Sequence, residues 1–277
     1  MRIDIWSDIA CPWCHIGLAR FERVLAEFPH RDQVEVHMRS FQLDPTLPEA
    51  YEGTETEYLA QRKGVSEAQI RQMFGHVIQA AASEGLPMDF DSLKVANSWR
   101  AHRLLHAATQ TDPTGALTRR LERALFEAHF RDGESISAPT VLLRIASQLG
   151  IPDDAAHRAV GEQSRGLPPQ NPAIAPGATG GGEVSAAVDG NDEPDELDRA
   201  ILADLAEAGE LGISGVPFFV LAGKYGISGA QPAEVFEGAL TQVWEEFLPA
   251  AAPTPLIVPG VVVGADAGEA CGPDGCD

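Results

Sequence analysis

Two cysteines separated by two residues, set between a short apolar alternation and an amphipathic run, constrain this chain more than any other feature. Ile3-Asp4-Ile5-Trp6 alternates as a β-strand does. Behind Cys11-Pro12-Trp13-Cys14, the residues Ile16, Ala19, Val24, Leu25 and Phe28 recur at helical spacing, which predicts a helix beginning at or near Pro12. Proline suits the first helical position because its missing N–H would be unpaired there anyway. Cys11 then stands at the cap. Unpaired N–H groups and the positive end of the helix dipole favour thiolate over thiol at that position. Cys14, one turn further on, is within reach to resolve a mixed disulfide. Strand, C-x-x-C and helix together outline a thiol–disulfide exchange site.

A bare C-x-x-C also occurs in zinc sites, but zinc needs two further ligands at similar spacing. The only other cysteines are Cys271 and Cys276, and no paired histidines stand at ligand spacing. No metal is expected. A purely structural disulfide fits poorly with a cap position that staples no loop. Four cysteines in 277 residues cannot form a disulfide scaffold. Asp4 and Asp8 interrupt what would be the apolar segment of a signal peptide, so the cytoplasm is the expected compartment. No apolar run reaches membrane-spanning length. The net charge of −21 argues against nucleic acid or an anionic membrane as partner, since phosphate contacts need clustered Lys and Arg.

Val34 to Phe41 alternates as a second strand, and strand–helix–strand of this length predicts a parallel βαβ unit. From about Thr54 to Gly150 the pattern is helical. Ser66-Glu67-Ala68-Gln69 is a capping box, Asn97 or Ser98 caps a further helix, and apolar faces recur at Leu117–Ala128 and Val141–Leu149. His102, His106 and His129 in this block read as packing residues. Residues 161–194 are rich in Pro, Gly and acids and read as a flexible surface insert; their Gly run lacks the setting of a phosphate loop. Leu197 to Leu205 resumes a helix, Pro217 opens an apolar strand, and a hairpin through Gly223-Lys224 leads to a last helix after Pro232. The expected fold class is α/β: a thioredoxin-like domain (1–48 and 195–248) with an inserted all-α domain (49–160) and an extended tail (249–277). In such a fold the proline opening the third strand is commonly cis and lies opposite the C-x-x-C. It would leave the Val216 backbone free to pair with an extended substrate segment.

Trp6-Ser7-Asp8-Ile9-Ala10-Cys11-Pro12-Trp13-Cys14, Phe41-Gln42-Leu43-Asp44-Pro45, Asn97 to Leu104, Gly215-Val216-Pro217-Phe218-Phe219 and Ser228 to Pro232 resemble the FrnE-type branch of the DsbA-like thioredoxin superfamily. The resemblance implies that Cys11 attacks, Cys14 resolves and the Val216–Pro217 bond is cis. Pro12, Trp13, Val216 and Pro217 are then the expected substrate-facing residues, with Asn97 and Ser98 facing the cleft between the domains. Related 2-hydroxychromene-2-carboxylate isomerases and kappa-class glutathione transferases typically carry serine where this chain has Cys11, and use glutathione. The expectation is a disulfide oxidoreductase acting on protein or small thiol substrates. It needs no organic cofactor, glutathione is a candidate thiol partner, and a dimer is one open oligomeric state. A glutathione-dependent isomerase or transferase and a redox-sensitive holdase are the alternatives.

The tail ends in Cys271-Gly272-Pro273-Asp274-Gly275-Cys276, where Pro-Asp-Gly is turn chemistry that brings two sulfurs together. Certain FrnE-type proteins carry a comparable pair, which suggests a second redox pair exchanging with the first. A local disulfide, free thiols and zinc shared between the two pairs remain as alternatives.

Overall fold

The computed structural model describes residues 1–161 and 194–247. Thirteen strands and α-helices follow one another in these residues: β1 (Arg2–Ser7), α1 (Pro12–Glu27), β2 (Glu35–Ser40), α2 (Glu55–Lys63), α3 (Glu67–Ser83), α4 (Trp99–Thr111), α5 (Ala116–Phe126), α6 (Pro139–Leu149), α7 (Asp153–Val160), α8 (Glu196–Glu210), β3 (Phe218–Leu221), β4 (Tyr225–Ser228) and α9 (Ala233–Phe247). One sheet has the order β2-β1-β3-β4. β1 and β2 run parallel, with Ile5 opposite Met38. β3 runs antiparallel between β1 and β4, with Phe219 opposite both Ile5 and Ile227. This is a thioredoxin-like sheet whose βαβ and ββα halves are separated by helices, as the sequence predicts.

Helices cover both faces of the sheet, so β1 is buried from Ile3 to Ser7 although its sequence alternates. On one face Phe21 of α1, Phe219 of β3 and Phe236 of α9 form an aromatic cluster with ring centroids 4.8–5.8 Å apart. On the other, Trp6, Phe41, Ala208, Ile213 and Val220 pack together. Asp4 tolerates burial because Arg2 and Arg39 donate to its carboxylate at 2.7 and 2.9 Å. The single polar residue of the strand's alternation is thus an ion-paired interior group.

The capping box predicted at Ser66 and Gln69 opens α3. A second, at Thr54 and Glu57, opens α2, which ends at Gly64 with φ 65°. α5 runs on as a wider helical turn over Glu127–Arg131, so the predicted helix reaches Ala128 and beyond. The sequence reading stops the helices at Gly150, whereas α7 adds about two further turns with Ala155, Ala156, Ala159 and Val160 buried. Its signal is Pro152 followed by Asp153 and Asp154 in the first turn.

Either side of residues 162–193, one buried guanidinium joins the chain. Arg103 of α4 donates through Nε to Ala159 O at 2.9 Å and through Nη2 to Arg158 O at 3.0 Å, closing the end of α7. The same group donates to Asp195 Oδ1 and Oδ2 at 2.9 and 2.6 Å and to Asp198, at the start of α8. Trp99 Nε1 donates to Asp198 Oδ1 at 3.0 Å. The insert read at 161–194, apart from its flanking Gly161 and Pro194, and the tail from 249 with Cys271 and Cys276 lie outside the described residues.

Candidate active site

Cys11 is the N-cap of α1, with φ −102° and ψ 110°, and Pro12 fills the first helical position. Its carbonyl accepts from Cys14 N at 3.0 Å, and its own N–H donates to Asp8 O at 2.9 Å. The side chain makes no cap hydrogen bond to its own helix. Instead the thiol donates across the sheet's end to Val216 O at 3.6 Å. The Val216–Pro217 bond is cis. So the Val216 carbonyl, expected to be free for a substrate strand, is here taken by Cys11.

Cys11 is 5% exposed and Cys14 fully buried, both as free thiols. Trp13 between them is 39% exposed and forms the loop's outer face. Burial pushes the Cys14 thiol well up from its usual range, and the neighbouring Cys11 pushes it further; the Asp8 backbone N–H and the Ser7 hydroxyl oppose both.

Asp8 holds the loop's shape. Its carboxylate accepts from Ala10 N at 3.2 Å and Leu43 N at 2.7 Å, and its Oδ1 lies 3.4 Å from His102 Nε2. Burial pushes the carboxyl up. His102, the Leu43 N–H and the Ser98 hydroxyl outweigh it, and the carboxyl stays below its ordinary value. His102, read from sequence as packing, therefore sits beside the redox loop. Its signal was the four-residue spacing from Ser98, which places both on one face of α4.

Asn97 and Ser98 separate in role. Asn97 is committed to structure: Oδ1 accepts from Trp99 N at 2.8 Å and Gln42 Nε2 at 3.1 Å, and Nδ2 donates to Leu47 O at 2.6 Å. Ser98 occupies the cap position of α4 without a side-chain cap bond. It lines a cleft of about 450 Å³ between the redox loop and the helical insertion, with Asp8, Ala10, Tyr58, Arg62 and Ser214. Among the described residues no cluster of three His, Cys, Asp or Glu is placed to hold a metal ion.

Gly17 went unnoticed in the sequence. A Cβ there would meet Pro217 Cγ at 2.8 Å and Ala230 Cα at 3.3 Å, so α1 and the proline loop approach as closely as a glycine allows. Gly→Ala inside a helix ordinarily gains about 1 kcal/mol, whereas overpacking costs roughly 1–3 kcal/mol. Because the obstruction is a proline ring and backbone, the second effect wins. Gly17→Ala is expected to lower the denaturation midpoint and slow exchange at Cys11; a midpoint above wild type would refute the close packing.

A cap-position thiol, a buried second thiol one turn away and a cis-proline carbonyl facing the first sulfur stand together at the end of this sheet, an arrangement that can carry thiol–disulfide exchange. Residues 2–166 match the model of the DSBA-like thioredoxin domain, and the chain belongs to that family. No curated protein shows significant similarity to it. Among solved structures it resembles a probable DsbA oxidoreductase from Streptomyces coelicolor, with 35% identity, coverage of 100% of this chain and 98% of that one, and a TM-score of 0.71. The cytosolic disulfide reductase DsbM of Pseudomonas aeruginosa shares the fold at 17% identity, covering 88% and 100% of the two chains with a TM-score of 0.56. So does a 2-hydroxychromene-2-carboxylate isomerase at 12% identity, covering 89% and 97%, with a TM-score of 0.56. At the level of the family, this is the fold of a thiol–disulfide oxidoreductase.

Proposed function

We propose that the protein exchanges disulfides with protein or small thiol substrates through Cys11 and Cys14. The Cys11 thiolate attacks one sulfur of a substrate disulfide, forming the Cys11–substrate bond and releasing the other sulfur as thiolate. The Cys14 thiolate then attacks Cys11 Sγ, the internal disulfide forms, and the second substrate thiolate leaves. Run backwards, the same steps oxidise a dithiol. The carrying observation is the placement of Cys11 at the start of α1 with Cys14 directly behind it. Trp13 and Pro12 on the loop's outer face, Val216 and Pro217 opposite, and Ser98 in the adjoining cleft are the surfaces that receive substrate. Glutathione fits the small-thiol class, and the similar DsbM fold has been solved with it. No organic cofactor enters these steps, and the cytoplasm suits thiols that cycle.

Trapping tests the proposal. Cys14→Ser is expected to accumulate a stable mixed disulfide at Cys11, while Cys11→Ser drops exchange at least about 10³-fold, towards the uncatalysed background. Stoichiometric glutathione binding with turnover that survives Cys14→Ser would instead favour an isomerase or transferase. The second cysteine pair extends the proposal: Cys271 and Cys276, set about a Pro-Asp-Gly turn, pass equivalents to the first pair. Removing residues 249–277 is then expected to slow turnover with protein substrates, and unaltered turnover would dismiss the relay.

A further inference from the structure

The cleft beside the redox loop holds one charged group that nothing in the fold answers. Its walls are largely apolar: Phe41, Leu47, Leu59 and Val95 line it, as does Ala10, the neighbour of Cys11. Other charges in it are matched. Arg62 pairs with Asp44 and donates to Leu43 O at 2.9 Å, and Tyr58 Oη donates to the same carboxylate at 2.5 Å. Asp8 accepts from two backbone N–H groups and lies beside His102. Glu55, the first residue of α2, is different. It is partly buried in the cleft wall, and among the described residues no hydrogen bond or ion pair engages its carboxylate. Capping of α2 does not use it, because Thr54 and Glu57 close the capping box between themselves. A carboxylate drawn out of water without a partner costs free energy, and a cation entering the cleft would offset that cost.

We infer that this cleft receives the side chain of a lysine or arginine lying next to the reacting cysteine of a polypeptide substrate, with Glu55 as its counter-ion. The inference rests on the exchange chemistry proposed above and names the substrate that the site favours. Lysine and arginine have the matching shape: an aliphatic stem that packs on apolar walls and a cation at its end. Neighbouring residues of a chain have Cα atoms about 3.8 Å apart, so a side chain beside the substrate's cysteine starts close to the sulfur that Cys11 attacks. Ala10 of the redox loop and Ser214, two residues before Val216, both line the cleft, which therefore adjoins that sulfur. Its volume of about 450 Å³ admits a long side chain. The whole molecule adds to the selection, since a net charge of −21 draws cationic chains in and repels acidic ones. Glu55 thus sets which substrate is held, and the sulfur chemistry stays with Cys11 and Cys14.

The remaining charges near Glu55 do not cancel it. Lys63 stands at the other end of α2, about 12 Å along the axis, with its side chain exposed. Lys94, whose backbone bridges to Thr54, is exposed and borders a separate groove with Glu49 and Tyr51. His129, which also lines the cleft, is held neutral by burial, at about 4. Burial raises the Glu55 carboxyl to about 7, although it sits at the positive end of α2. It is therefore largely neutral at pH 6 and largely ionised at pH 8, and an entering cation favours the ionised form. Preference for cationic substrates should grow with pH across that range.

Single-turnover reaction of the reduced protein with three disulfide-linked peptide dimers measures the preference. The dimers are of Gly-Cys-Arg, Gly-Cys-Gln and Gly-Cys-Glu with blocked ends. Each reaction turns one peptide disulfide into two peptide thiols and the Cys11–Cys14 dithiol into a disulfide. Peptide mapping of acid-quenched samples reads that disulfide and keeps the tail cysteines out of the measurement. Dividing each rate by that of 2-mercaptoethanol with the same dimer removes the peptide's intrinsic reactivity. At pH 8 the native protein should take the arginine dimer about 10-fold faster than the glutamine dimer, and the glutamate dimer slowest. At pH 6 the preference should shrink, a comparison that uses the native protein alone and stands if a variant does not fold. Glu55→Gln should bring the arginine and glutamine rates within about 2-fold of each other at both pH values, and Glu55→Lys should reverse the order. Glu237→Gln removes a charge from the exposed face of α9 and should keep the native preference. A preference lost equally in that variant would overturn the pocket, leaving only the overall charge at work. Equal corrected rates for the three dimers in the native protein would overturn it too. A native protein that forms no Cys11–Cys14 disulfide with any dimer would overturn the exchange reading itself.

Discussion

Arg103→Ala is expected to destabilise the protein by roughly 3–5 kcal/mol, a large part of the 5–15 kcal/mol that holds a domain together. Surface ion pairs contribute little, but this guanidinium is 1% exposed and serves four partners at once. Its removal leaves the Arg158 and Ala159 carbonyls and the buried Asp198 carboxylate without their donor, and unmade buried bonds cost more than made ones contribute. Asp195 is half exposed and turns to water, so it adds less. Lysine should not restore the loss, because an ammonium cannot fork across two carbonyls and two carboxylates. Acid titration gives an independent signature. The Arg103 guanidinium holds Asp195 at about 2, below its ordinary 3.8, so this contribution is present above pH 4 and lost as pH falls towards 2. That slope should flatten in Arg103→Ala. Denaturation midpoints at constant m measure the effect, and a change under 1 kcal/mol would refute the clamp.

The opposite sign is expected at Glu122. Its folded carboxyl is raised to about 8 from an ordinary 4.5, so the native state binds the proton more tightly than the unfolded chain does. The stabilisation is complete below about pH 4.5 and is lost as pH rises through 8, at up to about 1.4 kcal/mol per pH unit. Glutamine keeps the neutral shape and does not titrate. Glu122→Gln should therefore match wild type near pH 5 and exceed it by a few kcal/mol at pH 8. A stability gap that does not widen with pH would show that the carboxyl ionises freely in the folded protein.

The architecture was legible because its signals are local. The strand before Cys11, Pro12 at the first helical turn, the capping box at Ser66 and the apolar faces each fix an element from a few neighbouring residues. The cysteine pair and Pro217 were legible for the same reason. What sequence did not disclose is set by distant partners. Asp4 reads as a solvent-facing strand residue until Arg39 is brought beside it. Asn97 and Ser98 look interchangeable as caps, and only the packing of Gln42 and Leu47 commits the first to structure. Glu122 lies on a helix face that otherwise reads as ordinary, and nothing near it in sequence marks it as interior. Gly17 looks like a helix weakness until Pro217 is seen against it.

The thiol of Cys11 and the carbonyl it meets are 205 residues apart in the chain. On a ribosome, the nucleophile emerges long before β3 and its proline loop, and β1 must wait for that strand to fill the middle of the sheet. Until then Cys11 and Cys14 ride on an unfinished sheet. Long-range pairing of this kind slows assembly, so for an interval a newly made chain carries Cys11 without the carbonyl that later meets it.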